Sequence, residues 1–269
     1  TRGRYFSYST IASILGGLFF GFLSHQIIST DLNHYKILLR ILGSSYFIAA
    51  VLSTKLPSDK IEKPSHTGIW MGIKILKNDK LFSYISAAWF LIGFANLWIM
   101  PFRTNLLVEA EFGFAYSPAT VVFLTAIIPS LAQLISTPIW GHLFDNVNFI
   151  TLRIWMVVFF IFYIAAFFIG QSYWLHILGM ILFGIAIGGG HIAWNLWVTK
   201  IAKKNDVPSY MSVHSSLTGL RMVGAPLLGY SLLITKGPTF CAIVSMLLLA
   251  LSIIMLIPMI KFGKTRFNN

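Results

Sequence analysis

One basic residue lies deep inside an apolar stretch of the sequence. Arg221 falls about 12 residues into the stretch 209–233, which corresponds to about 18 Å along a helix. His214 and Thr218 precede it at helical spacing, so a single helix face would carry an imidazole, a hydroxyl and a guanidinium. These groups together predict binding of an anionic or zwitterionic small molecule. A structural role remains open, in which Arg221 binds helix-end carbonyls or an acidic residue elsewhere in the protein.

Polar residues recur at helical spacing in three other apolar stretches. Together with the first group they form the predicted solute-binding set, which comprises Trp89, Asn96, Gln133, His191, Asn195, His214, Thr218 and Arg221. For Asn96 and Gln133, hydrogen bonding between helices is an equal alternative. His191 is also a candidate proton carrier, although it lies close enough to a helix end to be simply hydrated. Two neighbouring tryptophans, Trp194 and Trp197, are predicted to be anchors of the kind that mark the ends of membrane helices.

A short polar segment, GHLFDNVNFITLR at 141–153, joins two of the apolar stretches. It holds Gly141, Asp145 and Arg153 in a chain with only 8 acidic residues. A helix N-terminus carries about half a positive charge, which favours a nearby carboxylate such as that of Asp145. Gly141 would let the connector pass close to a neighbour. A plain turn with a solvated Asp145 is the alternative.

The composition places these residues in a membrane protein. Of the 269 residues, 57% are hydrophobic and 10% are charged, whereas soluble domains are about a quarter charged. The net charge of +12 comes mainly from Lys and Arg in the connectors, which indicates lipid headgroups and topology and argues against nucleic acid. The single cysteine, Cys241, excludes an internal disulfide. The sequence contains no HExxH, CxxC, P-loop or paired Asp motif, so no catalytic residue, metal site or cofactor is predicted.

Eight apolar stretches are long enough to cross a bilayer as helices, which takes about 20 residues each. They predict an all-α polytopic membrane protein with spans at 6–25, 36–54, 81–101, 117–139, 150–170, 173–196, 209–233 and 238–260. Ser117 before Pro118 predicts a capped helix start.

When the first residues are placed in the cytoplasm, fifteen Lys and Arg fall on the cytoplasmic side and four on the other. The positive-inside rule therefore predicts cytoplasmic termini at both ends, in a plasma or inner membrane.

The longest connector, 55–80, is rich in lysine and divides the chain. Near its end we predict a short helix on the cytoplasmic surface, with an apolar face formed by Ile69, Trp70, Ile73 and Leu76. The predicted domains are therefore 1–54 with two spans, the connector 55–80 with its surface helix, and 81–269 with six spans.

This layout resembles the major facilitator superfamily with its first four helices absent. That family has two six-helix halves and carries a G-x-x-x-D-R-x-G-R type motif in one cytoplasmic connector of each half. Gly141 and Asp145 match the second copy, whereas Asn146 stands where the family usually has Arg. The segments TRGRYFSYSTIASILGG and GLRMVGAPLLG resemble the family's fifth and eleventh helices. The eight spans would then be helices five to twelve, and Thr1 would not be the natural start of the protein.

The resemblance implies a secondary transporter that moves a small solute by alternating access, as part of a longer twelve-helix chain. It implies that Asp145 faces the cytoplasmic start of the first span, near Arg2 and Arg4. Gly141, Asp145, Arg153 and Arg4 would form a conformational latch, with Arg153 as a displaced basic partner of the carboxylate.

Three points remain open at the level of the sequence. No Asp or Glu lies deep in a span, so proton coupling would fall to His191, to His214 or to a carboxylate in the absent helices. A membrane-embedded lipid-modifying enzyme is an alternative, but it would need a clustered acid, base or metal set, which the sequence does not offer. A non-transporting membrane scaffold is a second alternative, against which the mid-span Arg221 argues.

Overall fold

The computed structural model describes residues 2–28, 35–55, 70–112 and 114–262, and these residues are helical without any strand. The α-helices in chain order are α1 (Arg2–Ile28), α2 (Tyr35–Ser53), α3 (Met71–Asn78), α4 (Lys80–Ile99), α5 (Phe102–Val108), α6 (Pro118–Val122), α7 (Ile128–Asn146), α8 (Phe149–Ile164), α9 (Tyr173–Leu196) and α10 (Val207–Leu256). Short 3-10 and π-helical turns extend or connect several of them. The predicted all-α class is confirmed.

Seven segments of the described residues are long and apolar enough to cross a membrane. The last of them, Lys204–Phe262, has 59 residues, whereas the others have 18 to 29. Within it Gly237 has a φ of 80°, a conformation that favours glycine, and this break divides α10 directly before Pro238. The break falls between the two predicted spans 209–233 and 238–260, and each part is long enough for a crossing of its own.

The chain divides into two compact units, one of residues 9–63 and one of residues 1–8 with 64–269. In the smaller unit, none of the side chains whose exposure is described is buried. The larger unit contains the buried core, in which α10 packs along α4 and α8, and α9 packs against α7 and α8. The division into domains at 54 and 80 stays a prediction.

A helix, α3, is present where the short surface helix is predicted, and Ile75 makes its contact with the protein core. Ile75 is 1% exposed, whereas Trp70 and Ile73 of the predicted apolar face are 74% and 61% exposed. Ile75 joins the core where α3 leads directly into α4, whose start is capped by the Asp79 side chain. The placement of α3 on the membrane surface stays a prediction. Ile69 lies outside the described residues.

The start of the fourth predicted span is confirmed. The Ser117 side chain accepts the backbone N–H of Thr120 at 3.3 Å, and Pro118 occupies the first turn. A π-helical turn, Phe123–Ile127, then precedes Pro129. Proline has no N–H to bond four residues back, so the helix changes its hydrogen-bond register at this point.

Candidate functional site

The segment that begins GHLFD is helical as far as Asn146, whereas the sequence indicated a connector between spans that end at 139 and begin at 150. Gly141 and Asp145 lie one turn apart in α7, which continues to Asn146. Only two residues separate it from α8, and the side chain of the second, Asn148, caps α8.

Asp145 lies at the N-terminus of α1. Its carboxylate accepts the backbone N–H of Gly3 at 2.9 Å and that of Arg4 at 3.2 Å. These N–H groups belong to the first turn of a helix, where they have no helical partner and where the helix dipole favours an anion. A Cβ atom added to Gly141 would lie 2.8 Å from the Gly3 carbonyl oxygen and 2.8 Å from Ser7 Cβ, so the two backbones meet closely. The structure thus brings Gly141, Asp145 and Arg4 together, and their function as a latch stays a prediction.

Two further residues of α7 take part in this contact. Nη2 of Arg4 lies 2.8 Å from Nδ1 of His142, and Nδ2 of Asn146 lies 3.3 Å from the same ring nitrogen. A guanidinium can only donate, so Nδ1 of His142 is the acceptor in the contact with Arg4. Sequence reasoning did not assign His142 and Asn146 to the contact, although their spacing of four residues places both on one helix face.

Arg153 lies away from this contact. Its guanidinium carbon is 3.9 Å from the ring centroid of Trp89, a cation–π geometry, and its Nη1 lies 3.9 Å from Sδ of Met156. The side chain is 7% exposed. In the part of the chain that the structure describes, it makes no hydrogen bond to Asp145. The structure therefore does not bring the predicted basic partner to the carboxylate, because Arg153 lies on the buried face of α8.

Arg221 is buried at the interface between α10 and α4. Its Nη1 donates to the carbonyl oxygen of Trp89 at 2.6 Å, and its Nη2 donates to Oγ1 of Thr218 at 3.2 Å. A Cβ atom added to Gly93 would overlap the guanidinium, so this arginine occupies the space that the glycine leaves. Three predicted site residues, Trp89, Thr218 and Arg221, are thus in direct contact.

His214 lies one turn before Thr218 and is enclosed by indole rings. It is 2% exposed, and its ring centroid is 5.8 Å from that of Trp89, 5.2 Å from Trp194 and 5.3 Å from Trp197. Trp197 is fully buried and stacks on Trp89 with a centroid distance of 5.1 Å. The prediction of Trp197 as an interface anchor is therefore wrong. A 3-10 turn, Trp197–Lys200, follows α9 directly and directs this ring into the core.

We call the group of Trp89, Arg153, Trp197, His214 and Arg221 the Trp89 cluster. Four of its buried nitrogens have no hydrogen-bond partner among the described residues, namely Nε of Arg153, Nε of Arg221, Nε2 of His214 and Nε1 of Trp197. Likewise, across the described ranges no hydrogen bond or ion pair joins either guanidinium to a carboxylate. The cluster therefore concentrates positive charge and N–H donors without an acidic partner from these residues.

The four other predicted solute-binding residues lie apart from the Trp89 cluster. Asn96 donates to a carbonyl of its own helix, Asn195 donates to the His191 carbonyl at 2.8 Å, and His191 itself is exposed. Gln133 is half-buried in α7. The hydrogen bonds and ring contacts of the described residues connect none of them to the cluster, so their binding of solute stays a prediction.

A cavity of about 650 Å³ lies between α7, α8 and α9. Its lining is apolar and includes Ile135, Leu152, Trp155 and Ile181. None of the predicted solute-binding residues lines it. Its apolar walls suit an acyl chain or a neighbouring apolar side chain better than a charged solute.

Comparison with known protein families decides the class of the molecule. A family model described as the Major Facilitator Superfamily matches residues 106–268, which is more than half of the 269-residue chain. The chain belongs to the major facilitator superfamily. A comparison of the sequence with curated proteins finds no match.

Membership of the major facilitator superfamily confirms the resemblance seen in the sequence. This superfamily consists of secondary transporters and not of enzymes, so the protein is a multi-pass integral membrane transporter of the major facilitator type. Its ligand class is a small-molecule solute. The matched residues include Asp145, Arg153, His214 and Arg221, whereas Trp89 precedes them.

Proposed function

We propose that this superfamily member moves a small anionic or zwitterionic solute by alternating access, with Arg221 as its principal solute-binding residue. The supporting observation is the burial of Arg221 without a carboxylate partner among the described residues. A buried charge that lacks a counter-ion is unfavourable, and transporters retain such groups where a substrate supplies the missing charge. Thr218 and His214 of the same helix, with Trp89 of α4, complete the proposed binding surface.

The carboxylate contact at the start of α1 supports a latch in this cycle. Asp145 holds the first turn of α1 through two backbone N–H groups, and Arg4 reaches His142 on α7. Such a contact is electrostatic and exposed at its edge, so it can open and close at small cost. We propose that it closes the cytoplasmic side of the transporter, with Gly141 allowing the close approach.

We further propose that any proton coupling within this chain uses histidine. Among the described candidate spans, carboxylates occur only close to the ends, at Asp145 and Asp206. His214 lies inside the Trp89 cluster, and His191 lies on the exposed part of α9. Imidazole is the side chain whose charge changes nearest to neutral pH.

The proposed topology places both termini in the cytoplasm. It follows from the distribution of Lys and Arg, fifteen on one side and four on the other. In this arrangement the two spans before residue 55 are the last of one six-helix half, and 81–269 forms the other half of a twelve-helix transporter.

Transport by reconstituted protein tests the proposal. The full-length gene product would be placed in liposomes, and counterflow of anionic, zwitterionic, neutral and cationic solutes would be measured. Arg221→Ala should lower kcat/KM for the accepted solute at least about tenfold. Truncating one partner of a buried charge pair lowers binding affinity by at least this factor. Arg103→Ala is the matched control, because Arg103 also lies over an aromatic ring, that of Phe183, but on α5 and outside the cluster. Unchanged transport by a normally inserted Arg221→Ala protein contradicts the assignment.

A further inference from the structure

We propose that Arg153 and Arg221 together form a two-cation site for an oxyanion that carries two negative charges. This inference rests on the proposed function and specifies its substrate class. It assigns Arg153 to solute binding, whereas the sequence pattern had associated this residue with Asp145.

Both arginines converge on one residue from two different helices. Arg153 of α8 stacks on the ring of Trp89, and Arg221 of α10 binds the carbonyl oxygen of the same residue. Each is 7% exposed. Two guanidinium groups that meet at one residue in a protein interior repel each other, and the repulsion is stronger there than in water.

Among the described residues, both guanidiniums contact neutral groups. Arg221 binds a carbonyl and the hydroxyl of Thr218, and Arg153 binds a thioether and an aromatic face. Each guanidinium has five N–H donors, and in both the buried Nε has no partner in the described part of the chain. The donors that remain are suited to carboxylate or phosphate-type oxygens, which a planar guanidinium binds in a bidentate manner.

Two further unpartnered nitrogens belong to rings that contact Trp89, and each can donate a hydrogen bond. Nε2 of His214 and Nε1 of Trp197 are buried without a partner among the described residues, and both rings contact Trp89. The aromatic walls exclude water, which strengthens the attraction between the cations and an anion. A dianion would neutralise both arginines, whereas a monoanion would leave one positive charge uncompensated. The site should therefore prefer dianions.

Ligand-dependent thermal stability of the purified full-length protein tests the charge preference. Sulfate represents tetrahedral oxyanions and succinate represents dicarboxylates, so a comparison of the two shows which class of dianion the site binds. Methanesulfonate and acetate are the corresponding monoanions at equal ionic strength. We expect saturable stabilisation by one dianion, with an apparent Kd at least about tenfold below that of its monoanion. Equal binding of the dianion and its monoanion overturns the proposal. The same result would be found if an acidic residue elsewhere in the protein already neutralised one arginine, and in that case too there is no two-cation site.

A variant of Arg153 tests whether this second cation is the origin of the dianion preference. Arg153→Gln should weaken dianion binding at least about tenfold and leave monoanion binding within about threefold, so that the preference disappears. Arg103→Gln should keep the preference, and it also corrects for the general stabilising effect of sulfate on folded proteins. An Arg153→Gln protein that keeps the full dianion preference overturns the proposal.

A conservative variant covers the case in which Arg153→Gln does not fold. Arg153→Lys keeps the second positive charge but loses the planar fork, so it should keep the dianion preference while its dianion affinity falls about threefold. Loss of the dianion preference in this charge-retaining variant overturns the two-cation site.

The counterflow assay keeps this inference distinct from the proposed function. If Arg221→Ala abolishes transport but no dianion preference exists, the two-cation site fails and the proposed function stands. If Arg221→Ala transports normally, the proposed function fails as well.

Discussion

The carboxylate of Asp145 accepts the backbone N–H of Gly3 at 2.9 Å across 142 residues of sequence. This bond joins the last turn of α7 to the first turn of α1. It forms because the two backbones approach closely at Gly3 and Gly141, which leaves the N–H groups of α1 within reach of the side chain. The contact therefore has an electrostatic component and a steric component, and each can be tested by itself.

Asp145→Asn should loosen the contact by removing its charge. An anion at a helix N-terminus contributes about 1 kcal/mol, which corresponds to about a fivefold change in the opening equilibrium. Ser7 is 2% exposed beside Gly141, so a Ser7→Cys reporter in a Cys241→Ala background should react about fivefold faster with a thiol reagent when Asp145 is replaced. Glu111→Gln, which removes an exposed carboxylate, should leave the rate unchanged. Equal rates in all three proteins would mean that Asp145 does not hold α1.

Gly141→Ala should destabilise the same contact by steric overlap. The new methyl group would lie 2.8 Å from both the Gly3 carbonyl oxygen and Ser7 Cβ, and overpacking of this kind costs about 1–3 kcal/mol. Gly190→Ala is the matched control, since a Cβ atom there meets nothing within 4 Å and alanine favours the helix. We expect a lower Tm for Gly141→Ala and an equal or higher Tm for Gly190→Ala in detergent. A Tm for Gly141→Ala at or above that of the control contradicts the close crossing.

The helices and the mid-span polar face could be predicted because they follow from local pattern. The length of the apolar stretches determines where helices can cross a bilayer, and the spacing of His214, Thr218 and Arg221 places them on one face. The break at Gly237 was likewise indicated by the end of one apolar stretch and by Pro238 after it.

The residues that surround Arg221 could not be predicted, because they come from other helices. Arg153 looked like a connector residue, but α8 begins four residues earlier and directs it onto Trp89. Trp197 looked like an interface anchor, but the 3-10 turn after α9 buries it. Gly93 shares a helix face with Trp89 and Asn96, but its contact with Arg221 could not be predicted, since its role is to leave space for a side chain of another helix. Such cross-helix relationships depend on rotation about helix axes, which the sequence pattern does not determine.

Gly93→Ala should displace Arg221 without removing it. The added methyl group overlaps the guanidinium, and because a long flexible side chain can move, we expect loss of binding with little loss of stability. Solute affinity should fall at least about tenfold, as misplacing a binding group can cost even more. Gly219→Ala and Gly224→Ala on α10 meet nothing within 4 Å and serve as controls. Wild-type affinity in a folded Gly93→Ala protein would show that the observed position of Arg221 is not required.

Trp197→Ala should destabilise the protein by removing the middle ring of a stack. Trp197 lies between Phe82, at a centroid distance of 5.4 Å, and Trp89, at 5.1 Å, and large-to-small substitution of such a residue costs about 3–5 kcal/mol. Trp197→Phe keeps one stacked ring and should retain most of this stability, because it removes less buried surface. Trp174→Ala, at a residue that is 75% exposed, should change the Tm little. The measurement is the Tm of all three variants in one detergent, and similar values for Trp197→Ala and Trp174→Ala would place Trp197 outside the core after all.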